Sequence, residues 1–179
     1  LEQWGYTTAY FNGDAVRVEL EAGPNTTDNM VSIELVGFNP IIAHDRGDGC
    51  GICGPDDRAP ASDENFARLM PVGCSATLYN AESCMVTAGH CLGGSSAVVQ
   101  FNVPASSSNC STNNPPAADQ FPVLTESGLD GGVGADYGAM RIGTNSSGQT
   151  PYDRYGTFVP IANSVPGSGS IDITGYGVD

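Results

Sequence analysis

The chain has 179 residues, of which 40% are hydrophobic, so it can bury one sizeable core, or one core with a small appended unit. It carries 20 acidic residues against 6 basic ones, all of them Arg, for a net charge of -14. This charge argues against a nucleic-acid partner and against an anionic membrane, because both bind to cationic surfaces.

The composition also predicts the fold class and the compartment. The 24 Gly and 12 Pro are spread along the chain, which favours short strands joined by turns, so we expect an all-β fold. Six cysteines in so loop-rich a chain indicate disulfides and an oxidising compartment, extracellular or periplasmic. No apolar run approaches the roughly 20 residues of a membrane helix. A soluble exported surface explains the acidity more simply than a cationic substrate does.

Residues 1–43 have the pattern of a small N-terminal β unit, either a pro-region or an accessory unit. Alternation of apolar and polar residues is typical of half-buried strands. The alternating apolar residues are Val16, Val18, Leu20, Val31, Ile33 and Leu35. Residues 44–65 are almost devoid of apolar side chains and rich in Asp, Gly and Pro, which indicates an acidic linker that leads into the next domain.

Residues 66–179 show the pattern of an antiparallel barrel or sandwich, with short apolar runs separated by turn-rich segments. The predicted strands are Phe66–Met70, Cys74–Tyr79, Cys84–Ala88, Ala97–Val103, Tyr137–Ile142, Thr157–Ile161 and Ile171–Tyr176. Two polar segments, Pro104–Gln120 and Glu126–Ala135, are predicted to be long loops. No helix longer than a turn or two is expected.

The most informative segment is the strand that ends in His90 and Cys91. Its small and apolar residues place an imidazole at a rigid strand end. Cys74 precedes it by one strand and a turn, so a hairpin can bring Cys74 and Cys91 together. A disulfide across a loop of this length contributes about 3 kcal/mol in the chain-entropy model.

Residues 73–91, GCSATLYNAESCMVTAGHC, resemble the hairpin that carries the catalytic His of chymotrypsin-like serine proteases, including the cysteine pair. The resemblance implies the first barrel of a double β-barrel, with His90 as general base and a Cys74–Cys91 disulfide. The alternative is that His90 is a structural histidine beside a disulfide, but the match of the whole segment to the family's motif would then be a coincidence.

A base of this kind needs a carboxylate on its other ring nitrogen. Asp136 leads directly into a small and apolar strand, and the family carries its triad Asp in a similar sequence at a similar distance from the His. Taken alone, Asp136 would be a turn or strand-edge residue. After His90, in this order and spacing, it is predicted to orient the imidazole.

Two further segments resemble bacterial glutamyl endopeptidases of this family. Gly54–Arg58 followed by Phe66–Gly73 is similar to the start of their mature domain, and Ser170–Asp179 is similar to the strand that begins the second barrel. The resemblance thus covers residues 54–179 and leaves residues 1–53 outside the catalytic domain.

The family's Gly-Asp-Ser-Gly-Gly segment does not occur in this sequence. The resemblance therefore implies that a second barrel, on a companion chain or a missing C-terminal part, supplies the nucleophilic serine; a nick near Asp179, a truncated chain or a zymogen part would each explain this. The expected partners are that second barrel and a peptide or protein substrate. The alternative is a catalytically inactive, protease-fold binding or scaffold protein.

No cofactor or metal is expected. Four cysteines allow three pairings that the sequence does not separate: Cys50, Cys53, Cys84 and Cys110. Zinc at the two cysteines of the Cys-Gly-Ile-Cys segment is disfavoured, because only His90 and Cys91 form another close pair. A solvated acidic loop is favoured over calcium for the carboxylates Asp45, Asp48, Asp56 and Asp57, which lack EF-hand spacing. His44 is expected to be a surface residue.

Overall fold

A computed structural model of the chain describes Trp4 and residues 7–37, 59–107, 112–164, 167–170 and 172–176. This part contains six strands and one short helix. The strands are β1 (Phe66–Met70), β2 (Cys74–Leu78), β3 (Cys84–Thr87), β4 (Val98–Gln100), β5 (Gln120–Asp130) and β6 (Asp136–Ile142), and the helix α1 spans Pro151–Tyr155. Among the described residues, no helix has the length and apolar character needed to cross a membrane.

The six strands form one closed antiparallel barrel in the order β1-β2-β3-β6-β5-β4. Closure gives every strand a neighbour on both sides, although residues 125–130 of β5 extend beyond β4 and pair with β6 alone. The structure confirms the predicted all-β class and the antiparallel barrel. It also reproduces the bounds predicted for β1.

The register of the barrel follows from the alternation of side chains along its strands. In β6, Gly138, Met140 and Ile142 are buried, whereas Tyr137 and Arg141 are exposed. A shift of one residue would turn the whole apolar set of this strand toward water. The alternation therefore fixes how β6 pairs with β3 and β5.

Aromatic rings fill the centre of the core. Phe101 and Phe121 are fully buried and meet edge to face, with ring centroids 5.6 Å apart. Tyr155, at the end of α1, packs on Phe101 with a centroid distance of 4.9 Å. Its hydroxyl and the Arg154 guanidinium both donate to the buried carboxylate of Asp119, over 2.6 and 2.7 Å. Helix α1 thus packs against the core through one ring and one satisfied polar cluster.

Strand β5 differs most from the sequence-based expectation. Glu126–Ala135 was predicted as a loop, but residues 126–130 continue β5 and pair with β6 as far as Asp130 opposite Asp136. This half of β5 is mostly exposed, so it lacks the apolar pattern of a strand, although its backbone completes the ladder. Only residues 131–135 turn back, closed by the Gly131 N–H donating to the Ala135 carbonyl over 2.9 Å.

Two predicted strands near the end of the chain have no place in the barrel. Residues 157–161 have no regular strand, although the Val159 N–H donates to the Leu78 carbonyl over 2.9 Å. Residues 172–176 are likewise not in a strand, and Ile171 lies outside the described residues.

Residues 7–37 contain no strand, in contrast to the β unit predicted over residues 1–43. The side chains whose alternation suggested strands are exposed, among them Val16 at 62% and Ile33 at 62%. Alternation favours a strand only where a second layer buries the apolar face, and these residues have no such layer. The domain division at residues 43, 44 and 65 stays a prediction, since residues 38–58 lie outside the described part.

Truncation of the central ring tests the description of the core. Phe121→Ala is expected to lower the free energy of unfolding by about 3–5 kcal/mol, because it removes a fully buried ring and leaves a cavity. Leu124→Ala, on the same strand but 53% exposed, should change it by less than about 0.5 kcal/mol. Denaturant unfolding measures both, and equal effects would contradict this description of the core.

Candidate functional site

A disulfide-tethered hairpin holds the turn that carries His90. Cys74, at the start of β2, is bonded to Cys91, just beyond β3, with their Cα atoms 6.0 Å apart. Cys91 is 4% exposed and belongs to the core cluster. The turn Gly89–Cys91 is therefore fixed at both ends, by β3 before it and by the disulfide after it.

The structure brings His90 and Asp136 into direct contact. The ring nitrogen Nδ1 of His90 lies 2.6 Å from Oδ2 of Asp136, and the backbone N–H of His90 donates to Oδ1 over 2.9 Å. Asp136 opens β6, which pairs with β3 up to Thr87 opposite Gly138. The turn after β3 consequently meets the first residue of β6, and one carboxylate holds both the backbone and the ring of His90.

The carboxylate of Asp136 is held in its ionised form. The backbone N–H of His90, then its ring, and to a lesser degree the N–H of Gly89 lower the pKa of Asp136 below its ordinary value of 3.8. An ionised carboxylate only accepts hydrogen bonds, so Nδ1 must carry the proton. Among the described residues none bonds the other nitrogen, Nε2, and the His90 side chain is 58% exposed. The pair therefore presents Nε2 as an available proton acceptor.

A platform of glycines lies beneath this turn. A Cβ at Gly89 would overlap the backbone carbonyl of Leu129 in β5. Gly128 and Gly138 face each other across β5 and β6, and a Cβ on either would lie 2.8 Å from a methyl carbon of Leu92. Leu92 thus packs flat over the two glycines and brings the turn close to the β5–β6 hairpin.

The sequence analysis did not identify this platform. Glycines inside strands could have indicated it, since a glycine in a strand interior often marks the close approach of another part of the chain. Only Gly138 lay in a predicted strand, while Gly128 lay in a predicted loop.

A shallow groove of about 380 Å³ lies on the outer face of β3, β5 and β6. Val86, Ser127 and Tyr137 contribute to its lining, and Tyr137 directly follows Asp136. Leu129 and Tyr137, opposite each other across the two strands, are 48% and 62% exposed. Leu129 and Tyr137 therefore form an exposed apolar pair on the outer face of the β5–β6 hairpin, whereas the side chain of Asp136, one position before Tyr137, points to the opposite face of β6.

Cys84 is a free, half-buried thiol. The other three cysteines of the pairings left open by the sequence lie outside the described residues, so those pairings stay predictions. Burial, followed by the adjacent thiol of Cys84, raises the pKa of Tyr79. The other candidates lie outside the described residues, namely His44, Asp45, Asp48, Cys50, Cys53, Asp56, Asp57 and Cys110.

Cys74, His90 and Cys91 are the one group of three potential metal ligands within the described part of the chain. Their ligand atoms lie within 4.8 Å of one another. The two sulfurs are bonded to each other and so offer no thiolates. The zinc site considered for the Cys-Gly-Ile-Cys segment would have drawn on His90 and Cys91, and Cys91 is committed to the disulfide.

Comparison of the chain with protein-family models and with curated proteins finds no match. A functional assignment must therefore be argued from the geometry of the His90–Asp136 pair and from the resemblance of the hairpin around it.

Gly89→Ala tests whether close packing positions His90. The added methyl group would overlap the Leu129 backbone, which should push the turn away and lower the free energy of unfolding by about 1–3 kcal/mol. NMR should show loss of the His90–Asp136 hydrogen bond in this variant. The control is Gly167→Ala, where a Cβ meets open space. An intact hydrogen bond in Gly89→Ala would contradict the platform.

The ionisation of Asp136 gives a pH-dependent prediction. Because the pKa is lowered in the folded chain, the stabilisation from the pair is present above pH 3.8 and is lost as pH falls through the lowered pKa. A carboxyl ¹³C NMR titration of Asp136 should have its midpoint below 3.8, and His90→Ala should raise that midpoint. A midpoint above 3.8 in the unchanged chain would overturn the assignment.

Proposed function

We propose that the chain is the N-terminal portion of a serine endopeptidase with a chymotrypsin-like double β-barrel. The barrel described above would supply His90 and Asp136, and a second barrel would supply the nucleophilic serine. The observation that carries the proposal is the double contact of Asp136 with His90, which fixes Nδ1 as the protonated nitrogen and leaves Nε2 exposed. A Ser-His-Asp triad requires this arrangement of its base.

In the proposed reaction, Nε2 of His90 takes the proton from the serine hydroxyl as its oxygen attacks the carbonyl carbon of a peptide bond. The charged ring is stabilised by Asp136 at Nδ1. His90 then gives the proton to the departing amine, and the serine is left as an acyl ester. In the second half, Nε2 takes a proton from water as its oxygen attacks the ester, and the ring then returns that proton to the serine oxygen as the acid product leaves.

The position of the pair on the barrel supports a two-barrel arrangement. His90 and Asp136 lie at strand ends and not inside the core, so a second domain can approach Nε2 from solvent. The exposed Leu129 and Tyr137, on the outer face of the β5–β6 hairpin, give a partner domain an apolar surface to contact.

The second barrel would also supply the backbone N–H groups that stabilise the oxyanion, and the pocket that selects the substrate. The proposed substrate class is therefore a peptide or protein. A preference for cleavage after Glu is suggested by resemblance alone, through the segments that follow Gly54 and Phe66.

Export from the cell belongs to the same proposal. The Cys74–Cys91 disulfide positions the catalytic turn, and a disulfide with this role requires an oxidising compartment. The net charge of -14 suits a soluble exported protein.

A fluorophosphonate probe tests the proposal, because it labels only an activated serine. Protein that contains this chain is purified, treated with the probe, and analysed by denaturing mass spectrometry before and after reduction. The labelled serine should lie on a second-barrel sequence that is covalently linked to this chain or copurifies with it. His90→Ala should abolish the labelling, and Asp136→Asn should slow it by about 10⁴-fold, the loss seen when the triad Asp is replaced in other enzymes.

The matched control is Asp130→Asn, which changes the carboxylate opposite Asp136 in the β5–β6 ladder without touching the ring of His90. It should label at the unchanged rate. If no serine is labelled, or if labelling does not depend on His90, the peptidase proposal fails and the inactive scaffold takes its place.

A further inference from the structure

The side chain of Gln120 binds the N-terminal segment to the barrel through hydrogen bonds to the backbone of Tyr10. The N–H of Tyr10 donates to Oε1 of Gln120 over 2.8 Å, and Nε2 of Gln120 donates to the Tyr10 carbonyl, also over 2.8 Å. One side-chain amide therefore satisfies both backbone groups of one residue. A neighbouring strand would make the same pair of bonds to an extended peptide.

A second reciprocal pair lies two residues further along. Nδ2 of Asn12 donates to the Asn114 carbonyl over 2.8 Å, and the Asn114 N–H donates to Oδ1 of Asn12 over 2.8 Å. Nδ2 of Asn114 also reaches the Phe11 carbonyl over 3.4 Å. The segment 7–12, here called the strap, is thus held at two points by matched donors and acceptors.

The barrel side of this contact is a built polar site. Gln120 and Gln100 are fully buried, and Nε2 of Gln100 donates to Oε1 of Gln120 over 3.1 Å. Arg68, only 7% exposed, donates through Nε and Nη2 to Oε1 of Gln100 over 2.9 and 2.6 Å. Nη2 of Arg68 also donates to Oδ1 of Asn114 over 3.1 Å. A buried cation therefore orients the amide side chains that hold the strap.

Trp4, before the strap, is buried, and Tyr10, within it, is partly buried. Trp4 is 9% exposed, and the Thr7 N–H and hydroxyl both donate to its carbonyl. Burial raises the pKa of Tyr10. By contrast, residues 13–37, beyond the strap, are exposed throughout. Docking is thus confined to the first part of the N-terminal region.

The strap lies far from the candidate catalytic pair. Gln120 begins β5 and Asp130 ends it opposite Asp136, so the strap and the pair lie at opposite ends of this 11-residue strand. The strap leaves His90 exposed in the same structure. It is therefore not placed to block substrate.

We propose that the barrel carries a peptide-binding site, formed by Gln120 and Asn114 over the buried Arg68–Gln100 pair, whose ligand is the chain's own strap. The strap binds with enough affinity to remain in place after the connection through residues 38–58 is cut. Because the strap binds the folded barrel and not the unfolded chain, its binding stabilises the barrel by mass action. This proposal does not depend on the proposed peptidase function.

Cutting the connection is an informative test, because a tethered segment docks at a high effective concentration even when its own affinity is weak. A recognition site for a specific protease is introduced within residues 38–58 of the full chain and cleaved. Trp4, the sole tryptophan, reports docking by its fluorescence. We expect its emission to remain that of a buried indole and the two fragments to elute together in gel filtration. A shift to solvent-exposed emission with separated fragments would overturn the proposal.

A matched pair of strap variants tests the contacts themselves. Asn12→Ala removes the reciprocal bonds to Asn114 and should weaken binding of the cleaved fragment about tenfold in a dilution series. Asn29→Ala removes an exposed amide that, among the described residues, bonds to Thr26 in the same region, and this variant should bind as the unchanged fragment does. Equal affinity of the two variants would contradict the assigned site. Both changes lie outside the barrel, so they leave its folding intact.

Discussion

The hydrogen-bond ladder between β3 and β6 is the constraint on which the candidate site depends. It ends with Thr87 opposite Gly138, so the chain leaving β3 passes directly over the start of β6. His90 and Asp136 are 46 residues apart in sequence, but the register of the two strands brings them into contact. The Cys74–Cys91 disulfide then fixes the turn from its far side.

The barrel combines an apolar centre with polar clusters that are internally satisfied. Asp119 holds Arg154 and Tyr155 against the core, and the buried Arg68 lies among amide oxygens. Buried polar groups favour a unique structure when each has a partner, because an unpaired buried group costs about 1–3 kcal/mol. The chemistry differs between the two ends of β5: Arg68 acts through Gln100 on the strap site at Gln120, and Asp136, opposite Asp130, holds His90.

The sequence predicted the parts of the fold in which side-chain pattern and backbone pairing agree. The bounds of β1 belong to this class, whereas the contact between His90 and Asp136 was expected from the resemblance of the hairpin and not from the pattern. The second half of β5 does not, because its side chains face solvent and only its backbone shows that it is a strand. In residues 7–37 the alternating pattern predicted strands that the structure does not contain, since alternation without a second layer forms no strand. Gly128 and Gly138 were missed because their role lies in what approaches them from outside the strand.

The proposed role of His90 depends on which of its ring nitrogens carries the proton. The chain has 2 histidines, so ¹⁵N labelling of histidine gives a spectrum that His90→Ala assigns without ambiguity. At a pH where the ring is neutral, we expect the Nδ1–H tautomer, with Nε2 as a free acceptor. In Asp136→Asn the preference for the Nδ1–H tautomer should be lost. An Nε2–H tautomer in the unchanged chain would contradict the proposed role, because the nitrogen available to a serine would then already hold a proton.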